Sequence, residues 1–319
     1  RYMMNHWPAD QYQETLAGLS VYLATIGLEE AMLALYGQTG EKEYLDFCVQ
    51  HRKLPDWKVG IVEGRWGLAE GHAYHYLCRC LAQLQLYGIQ PDPRLRVNSR
   101  KTMDYLTSGD GLLIPGLCSY QECWHSNQQG FWKLGETCST AYLIRWLGKL
   151  LELEGQSFYG DLIERSVYNG LFAAQSPDGR RLRYYSPLEG PRIYFDLDTY
   201  CCPCNYRRIV AELPEMIYYK TEEGVAVNLY AESSAELEIR KGIPLTIRQE
   251  TDYPNSGEVE ICLEPAQASE FALKLRIPRW CRQAEISING RDSIREAAGG
   301  SFVTLHRQWQ SGDRVRLAM

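Results

Sequence analysis

Residues 205–250, NYRRIVAELPEMIYYKTEEGVAVNLYAESSAELEIRKGIPLTIRQE, change their hydrophobic rhythm partway through. From about Asn205 to Lys220 the apolar residues recur at helical spacing. From Val225 onward they alternate with polar ones, in VAVNLY, AELEIR and LTIRQE. Alternation marks a half-buried strand, and recurrence every three to four residues marks an amphipathic helix. The switch predicts a boundary near residue 222, dividing the chain into 1–221 and 222–319. Beyond it EVEICLE, FALKLRIP, AEISING, SFVTLHR and RVRLAM carry the alternation on, separated by Gly, Pro, Asn and Asp turns. Short strands punctuated in this way predict an all-β, sandwich-like domain.

Upstream the reading is helical. Residues 11–37 place Leu16, Leu19, Leu23, Ile26, Ala31, Leu33 and Leu35 at helical spacing, with Gly27 dividing the run in two. Further helices are predicted over 42–52, 66–87 (closed by Gly88), 94–106, 136–154 and 157–174. Helical hairpins in series predict an (α/α)6-type barrel, whole or in part. Residues 107–135 form a long loop rich in Gly, Ser, Gln and aromatics, and a loop of that length inside a compact domain is often functional. Residues 180–200 read as extended.

Composition narrows the classes. The 319 residues are 45% apolar and 23% charged, as in soluble globular proteins. A net charge of −6 offers no electrostatic reason to bind nucleic acid. No apolar run is long enough to span a bilayer, and RYMMNHWPAD is not a signal peptide. An opening Arg1 and a strand-like ending are what a piece of a longer chain would show. Eleven cysteines in a chain of this length fit a reducing, cytoplasmic setting better than a disulfide framework.

Two cysteine clusters carry the chemistry. GETCST places Glu136 and Cys138 at one helix start, and YCCPCNY places Cys201, Cys202 and Cys204 just before another. Helix N-termini favour anionic groups and lower thiol pKa values. Thiolates with a carboxylate are a plausible tetrahedral zinc set. Neither cluster has the paired CxxC spacing of a zinc ribbon, so buried, inert cysteines are the competing reading. Cys48, Cys78, Cys80, Cys118, Cys262 and Cys281 fit that plainer reading. In the loop, Glu122 lies beside Trp124 and His125, where a carboxyl can serve as a general acid or simply be solvated. His72, in EGHAYHY, has the same two readings.

Together GLEEAMLALYGQTG, EGHAYHY, GETCST, LIERSVYNGLFAAQSPDG, RYYSPL, CCPCNYRRIVAELPEMIYY, LKLRIPRWC and SFVTLHRQW–SGD resemble the cysteine-dependent β-L-arabinofuranosidase family of glycoside hydrolases. They run in family order across nearly the whole chain, and ETC followed by CCP-x-N is the most specific part. The resemblance implies an (α/α)6 barrel followed by β-sandwich material. It implies a zinc ion held by Glu136, Cys138, Cys201 and Cys202, with Cys201 as nucleophile and Glu122 as general acid/base. His72, Glu164 and Tyr184 match positions that contact sugar hydroxyls. The implied activity is retaining hydrolysis of β-L-arabinofuranosides or related sugars, so the partner is a carbohydrate. A homodimer is a candidate assembly, with no nucleic-acid or membrane partner. The alternative is a non-catalytic carbohydrate-binding protein with a structural zinc. The chain departs from the family where Leu28 replaces a His and where CCPC replaces CCPP, adding Cys204 as a rival thiol.

Overall fold

The computed structural model describes residues 1–6, 26–65, 71–128, 132–197, 200–239, 242–291 and 297–319. The chain forms two compact units. One takes in Arg1–Leu153 and Arg165–Ile209, the other Glu154–Glu164 and Val210–Met319. The parts of the sequence reading that fall on 11–25 and 66–70 lie outside the described residues.

The first unit is helical. Its main helices are α1 (Leu28–Thr39), α2 (Ala73–Ile89), α3 (Val97–Ser108) and α4 (Thr137–Glu154). Next along the chain are α5 (Ser157–Ser166) and α6 (Cys201–Glu212), whose residues are shared between the units. Helices α2 and α4 are buried on nearly every side, through residues such as Tyr76, Leu77, Leu84, Leu143, Trp146 and Leu147. Helices buried all round are core helices, even with polar residues such as Arg79 and Gln83 among those buried, so these two are the scaffold on which the loops hang.

Several boundaries differ from the sequence reading. Helix α2 begins at Ala73, because His72 caps it by accepting the His75 N–H on Nδ1 at 3.3 Å. The run 157–174 leaves α-geometry at Val167 and finishes as a π turn and a 3-10 turn. The helix expected over 205–220 spans Cys201–Glu212 instead. Cys201 and Cys202 therefore lie in its first turn, where Pro203 is tolerated because those N–H groups have no helical partner. Pro214 stops the helix, and the aromatic pair beyond it joins strand β1 (Tyr218–Thr221).

The second unit is built from two sheets. Strands β1, β2 (Gly224–Val227), β6 (Ser269–Ile277) and β8 (Ser301–Trp309) form one, in the order β1-β2-β6-β8. Strands β3 (Ser233–Ile239), β4 (Ile243–Thr251), β5 (Glu258–Pro265), β7 (Glu285–Ile288) and β9 (Asp313–Ala318) form the other, ordered β3-β4-β5-β9-β7. All neighbours are antiparallel except β2 and β6. Val227, Phe271, Leu273 and Leu275 from the first sheet share one apolar core with Leu245, Ile247, Ile261 and Val315 from the second.

Strand β6 is buried on both faces. Away from the shared core it presents Arg276, fully buried, with Nη1 2.7 Å from Asp161 Oδ1 and Nη2 2.5 Å from Glu164 Oε2. This ion pairing explains why Glu154–Glu164 belong to the β-rich unit. Gly160 permits the close approach: a Cβ there would lie 2.5 Å from Arg276 Cδ. No described helix is long and apolar enough to cross a membrane.

Candidate active site

Three stretches of the helical unit meet. The start of α4 is held by residues 182–186, which run beside it in extended form. Thr137 N–H donates to Tyr184 O at 3.0 Å, and Thr137 Oγ1 to Arg183 O at 2.8 Å. Glu136 caps α4, its carbonyl accepting from Thr140 N at 3.0 Å and from Ser139 Oγ at 2.8 Å. The third stretch is the first turn of α6, with Cys201 and Cys202.

The result is a compact donor set. One ligand atom each from Glu136, Cys138, Cys201 and Cys202 lies within 4.8 Å of all the others. Cys138 Sγ and Cys202 Sγ are 3.4 Å apart, and Cys202 Sγ is 4.0 Å from Glu136 Oε1. The three cysteines are free thiols, since a disulfide would need an S–S separation of about 2.05 Å. A tetrahedral zinc with Zn–S of about 2.3 Å sets its sulfurs about 3.8 Å apart, and the Cys138–Cys202 pair, at 3.4 Å, is near that spacing. Glu136 Oε2 is buried without a hydrogen-bond partner among the described residues. Three thiols and an orphaned buried carboxylate oxygen therefore fit a zinc ion in charge, number and spacing.

The electrostatics divide the four residues. Burial pushes the Cys138 and Cys202 thiols up, and it raises the Glu136 carboxyl, helped by the charges of Glu122 and Cys201. Hydrogen bonding with the Cys138 and Cys202 thiols pulls Cys201 down, with a smaller contribution from the neighbouring Tyr184 hydroxyl. Cys201 is also the exposed member of the set, the other three being buried. Cys204, exposed one helical turn further along, is not part of the set.

Glu122 stands at the tip of a two-residue turn. Tyr120 and Cys123 exchange both backbone hydrogen bonds, at 2.8 and 3.0 Å, with Gln121 at φ 49° and Glu122 at φ 70° between them. Two successive left-handed residues define a type I′ hairpin turn, which favours Asn-Gly and strains a Gln-Glu pair. Strain of this kind persists where the surroundings over-determine the backbone. Here Ala73 N–H donates to Glu122 O at 2.9 Å and Trp124 N–H to Gly71 O at 2.9 Å, lacing the turn to the start of α2.

The Glu122 carboxylate has two neighbours in the site. The Tyr184 hydroxyl donates to Oε1, and that same hydroxyl is 3.9 Å from Cys201 Sγ. His72 Nε2 is 3.5 Å from Oε2. Because His72 Nδ1 accepts from His75 N–H, the network assigns the ring proton to Nε2, facing Glu122. Burial raises the Tyr184 phenol, keeping it a hydrogen-bond donor.

Of the residues singled out from sequence, Glu122, Glu136, Cys138, Tyr184, Cys201, Cys202 and His72 are linked by these contacts. Glu164 is placed differently. It lies in the β-rich unit, with Oε2 taken by Arg276 and Oε1 by the Trp280 indole N–H at 2.9 Å. Leu28 packs against the apolar cluster of Met32, Leu33 and Phe47. Cys48, Cys78, Cys80, Cys118, Cys262 and Cys281 are buried free thiols, and burial raises those of Cys48 and Cys118 to about 12. Two supporting residues escaped the sequence reading. Ser119 Oγ accepts from Glu136 N–H at 3.3 Å and meets Ser139 Oγ at 2.8 Å. Tyr200 stacks parallel to Tyr184, 5.7 Å away. The density of tyrosines between 184 and 200 was the available signal for the latter.

The family model for the catalytic domain of GH127 β-L-arabinofuranosidases matches residues 2–215. The model for the GH127 middle domain matches residues 224–319. The chain belongs to the GH127 β-L-arabinofuranosidase family. A curated relative, the non-reducing end β-L-arabinofuranosidase of Bifidobacterium longum subsp. longum, is 29% identical over 203 residues, covering 58% of this chain and 30% of that protein. The solved structure of a GH127 β-L-arabinofuranosidase from Geobacillus stearothermophilus T6 superposes with a TM-score of 0.82 at 26% identity, over 99% of this chain and 56% of that one. A second solved GH127 β-arabinofuranosidase gives 0.82 at 25% identity, over 99% and 54%. The chain thus spans less than two thirds of the length of these relatives.

Proposed function

We propose that this chain hydrolyses β-linked L-arabinofuranosides with retention of configuration, using Cys201 as nucleophile and Glu122 as general acid and base. One observation carries the reading: the Tyr184 hydroxyl touches both the Glu122 carboxylate and Cys201 Sγ. A single hydroxyl in contact with both groups keeps them near each other, which supports the retaining reading, since carboxyl pairs lie about 5–5.5 Å apart in retaining enzymes against about 6.5–9.5 Å in inverting ones. Family membership and the exposure of Cys201 beside three buried partners support it further.

In the first half-reaction Cys201 Sγ bonds to the anomeric carbon while the bond to the leaving-group oxygen breaks. Glu122 gives its proton to that oxygen. In the second, Glu122 takes a proton from water, the water oxygen bonds to the anomeric carbon, and the carbon–sulfur bond returns its electrons to Cys201. Two displacements restore the starting configuration. Glu136, Cys138, Cys201 and Cys202 would hold zinc, whose charge keeps a coordinated thiol deprotonated near neutral pH. Tyr184 and His72 orient the Glu122 carboxylate and are assigned to sugar hydroxyls. Glu164, with both oxygens engaged, is assigned to the packing of the β-rich unit. The architecture proposed to carry this site is an (α/α)6-type barrel, whole or in part, followed by a β-sandwich.

The test is metal analysis together with turnover of an aryl β-L-arabinofuranoside, with the product anomer read by proton NMR. One zinc per chain and a β-configured first product are expected. Zinc with sugar binding but no hydrolysis would instead establish a carbohydrate-binding protein with a structural metal.

A further inference from the structure

Beside the reactive pair lies an apolar face that the proposed chemistry does not use. Phe195 N–H donates to Leu182 O at 2.9 Å, which pins this residue against the segment that carries Tyr184. The Phe195 ring is 5.7 Å from that of Tyr184 and 5.4 Å from that of Tyr200, and the two tyrosine rings are parallel within 4°. Phe195 is 42% exposed. Ile193 and Leu197, at the alternate positions on either side, are 64% and 72% exposed. Scattered exposed apolar residues are ordinary, but a stripe of them along the segment pinned beside a reactive pair marks a binding surface.

We infer that this stripe receives the leaving group of the glycoside and selects for a flat, apolar one; the inference rests on the glycosidase reading above. In that reading Glu122 protonates the leaving-group oxygen, so the leaving group begins at the Glu122 carboxyl. The Tyr184 hydroxyl donates a hydrogen bond to that carboxyl, and its ring neighbours those of Phe195 and Tyr200. A planar group departing from Glu122 meets aromatic faces arranged for offset and edge contacts, with Leu197 and Ile193 beyond them. Water displaced from these side chains supplies the driving force. The leaving group has gone before the second half-reaction, so the stripe acts on the first half alone.

The experiment compares 4-nitrophenyl and methyl β-L-arabinofuranoside on the wild-type chain, on Phe195→Ala and on Leu197→Ser. The ratio of kcat/KM for the aryl over the methyl glycoside is expected to fall about tenfold in Phe195→Ala and about threefold in Leu197→Ser. The loss on the aryl substrate is expected in KM rather than kcat. Leu197 is a surface residue, so its variant keeps the test valid if Phe195→Ala folds poorly. A ratio unchanged in both variants, including an equal loss on both substrates, overturns the inference and leaves Phe195 a support for Tyr184. A wild-type chain that hydrolyses neither glycoside overturns the glycosidase reading, and the stripe's role with it.

Discussion

Two buried polar clusters in this molecule handle charge in opposite ways. In the β-rich unit Arg276 sits fully buried between Asp161 and Glu164, donates from Nε to Asn228 O at 2.6 Å, and receives the Tyr230 hydroxyl on its own carbonyl. Its charge is met by groups of the same chain. In the helical unit Glu136, Cys138 and Cys202 are equally buried, yet they bring together acidic groups and leave Glu136 Oε2 without a hydrogen-bond partner among the described residues. A buried charge is tolerated when it is paired, whereas a buried acidic set either keeps its protons or gathers around a cation. The first cluster is neutralised within its own chain, although Asp161 Oδ2 is likewise buried without a hydrogen-bond partner among the described residues. The second has the donor composition of a metal site, with one member, Cys201, open to the exterior.

The contrast can be broken by experiment. The largest effect falls on Cys201→Ser: turnover of an aryl β-L-arabinofuranoside is expected to drop by at least about a thousandfold, as for other lost nucleophiles, while the circular dichroism spectrum is kept. Wild-type rates in that variant would end the assignment of Cys201. Arg276→Ala is the mirror image. It strands one buried and one partly buried carboxylate and is expected to cost about 3–5 kcal/mol, read by urea unfolding of the β-rich unit; a loss under about 1 kcal/mol would show that the pairing behaves as a solvent-exposed one. Metal removal probes the other cluster. If zinc is bound at about a thousand times its dissociation constant, stripping it with a chelator removes about 4 kcal/mol of stability. The shift is expected in the melting of the helical unit and not in that of the β-rich one. The smallest effect concerns the turn under Glu122. Gln121→Asn relieves one left-handed residue and is expected to raise stability by about 0.5 kcal/mol, measured as a higher urea midpoint; a decrease would mean that the Gln121 side chain makes a contact of its own.

How much of this was legible beforehand depends on the range of the interactions. Every strand expected after Val225 is present, because alternation is a local property of the chain and only the ends moved. The helix expected to run to Lys220 stopped at Glu212 because Pro214 outweighed the continuing apolar rhythm. The four metal-type residues were picked out by type and by their helix-start settings, and they do converge. Nothing in their spacing said that Cys201 would be the exposed one. Glu164 looked equivalent to the other site carboxylates in sequence. Its engagement by Arg276 and Trp280, more than a hundred positions away, could not be read from its neighbours.

Period, turn residues and residue chemistry thus settled the order of helical and β-rich parts and the inventory of reactive side chains, since each is written within a dozen residues or fewer. Which thiol faces outward, which hydroxyl joins Glu122 to Cys201, and which carboxylate is given over to Arg276 were decided by packing between distant segments. Those outcomes depend on burial and on distances of a few ångströms across the fold, and no local stretch of chain encodes either.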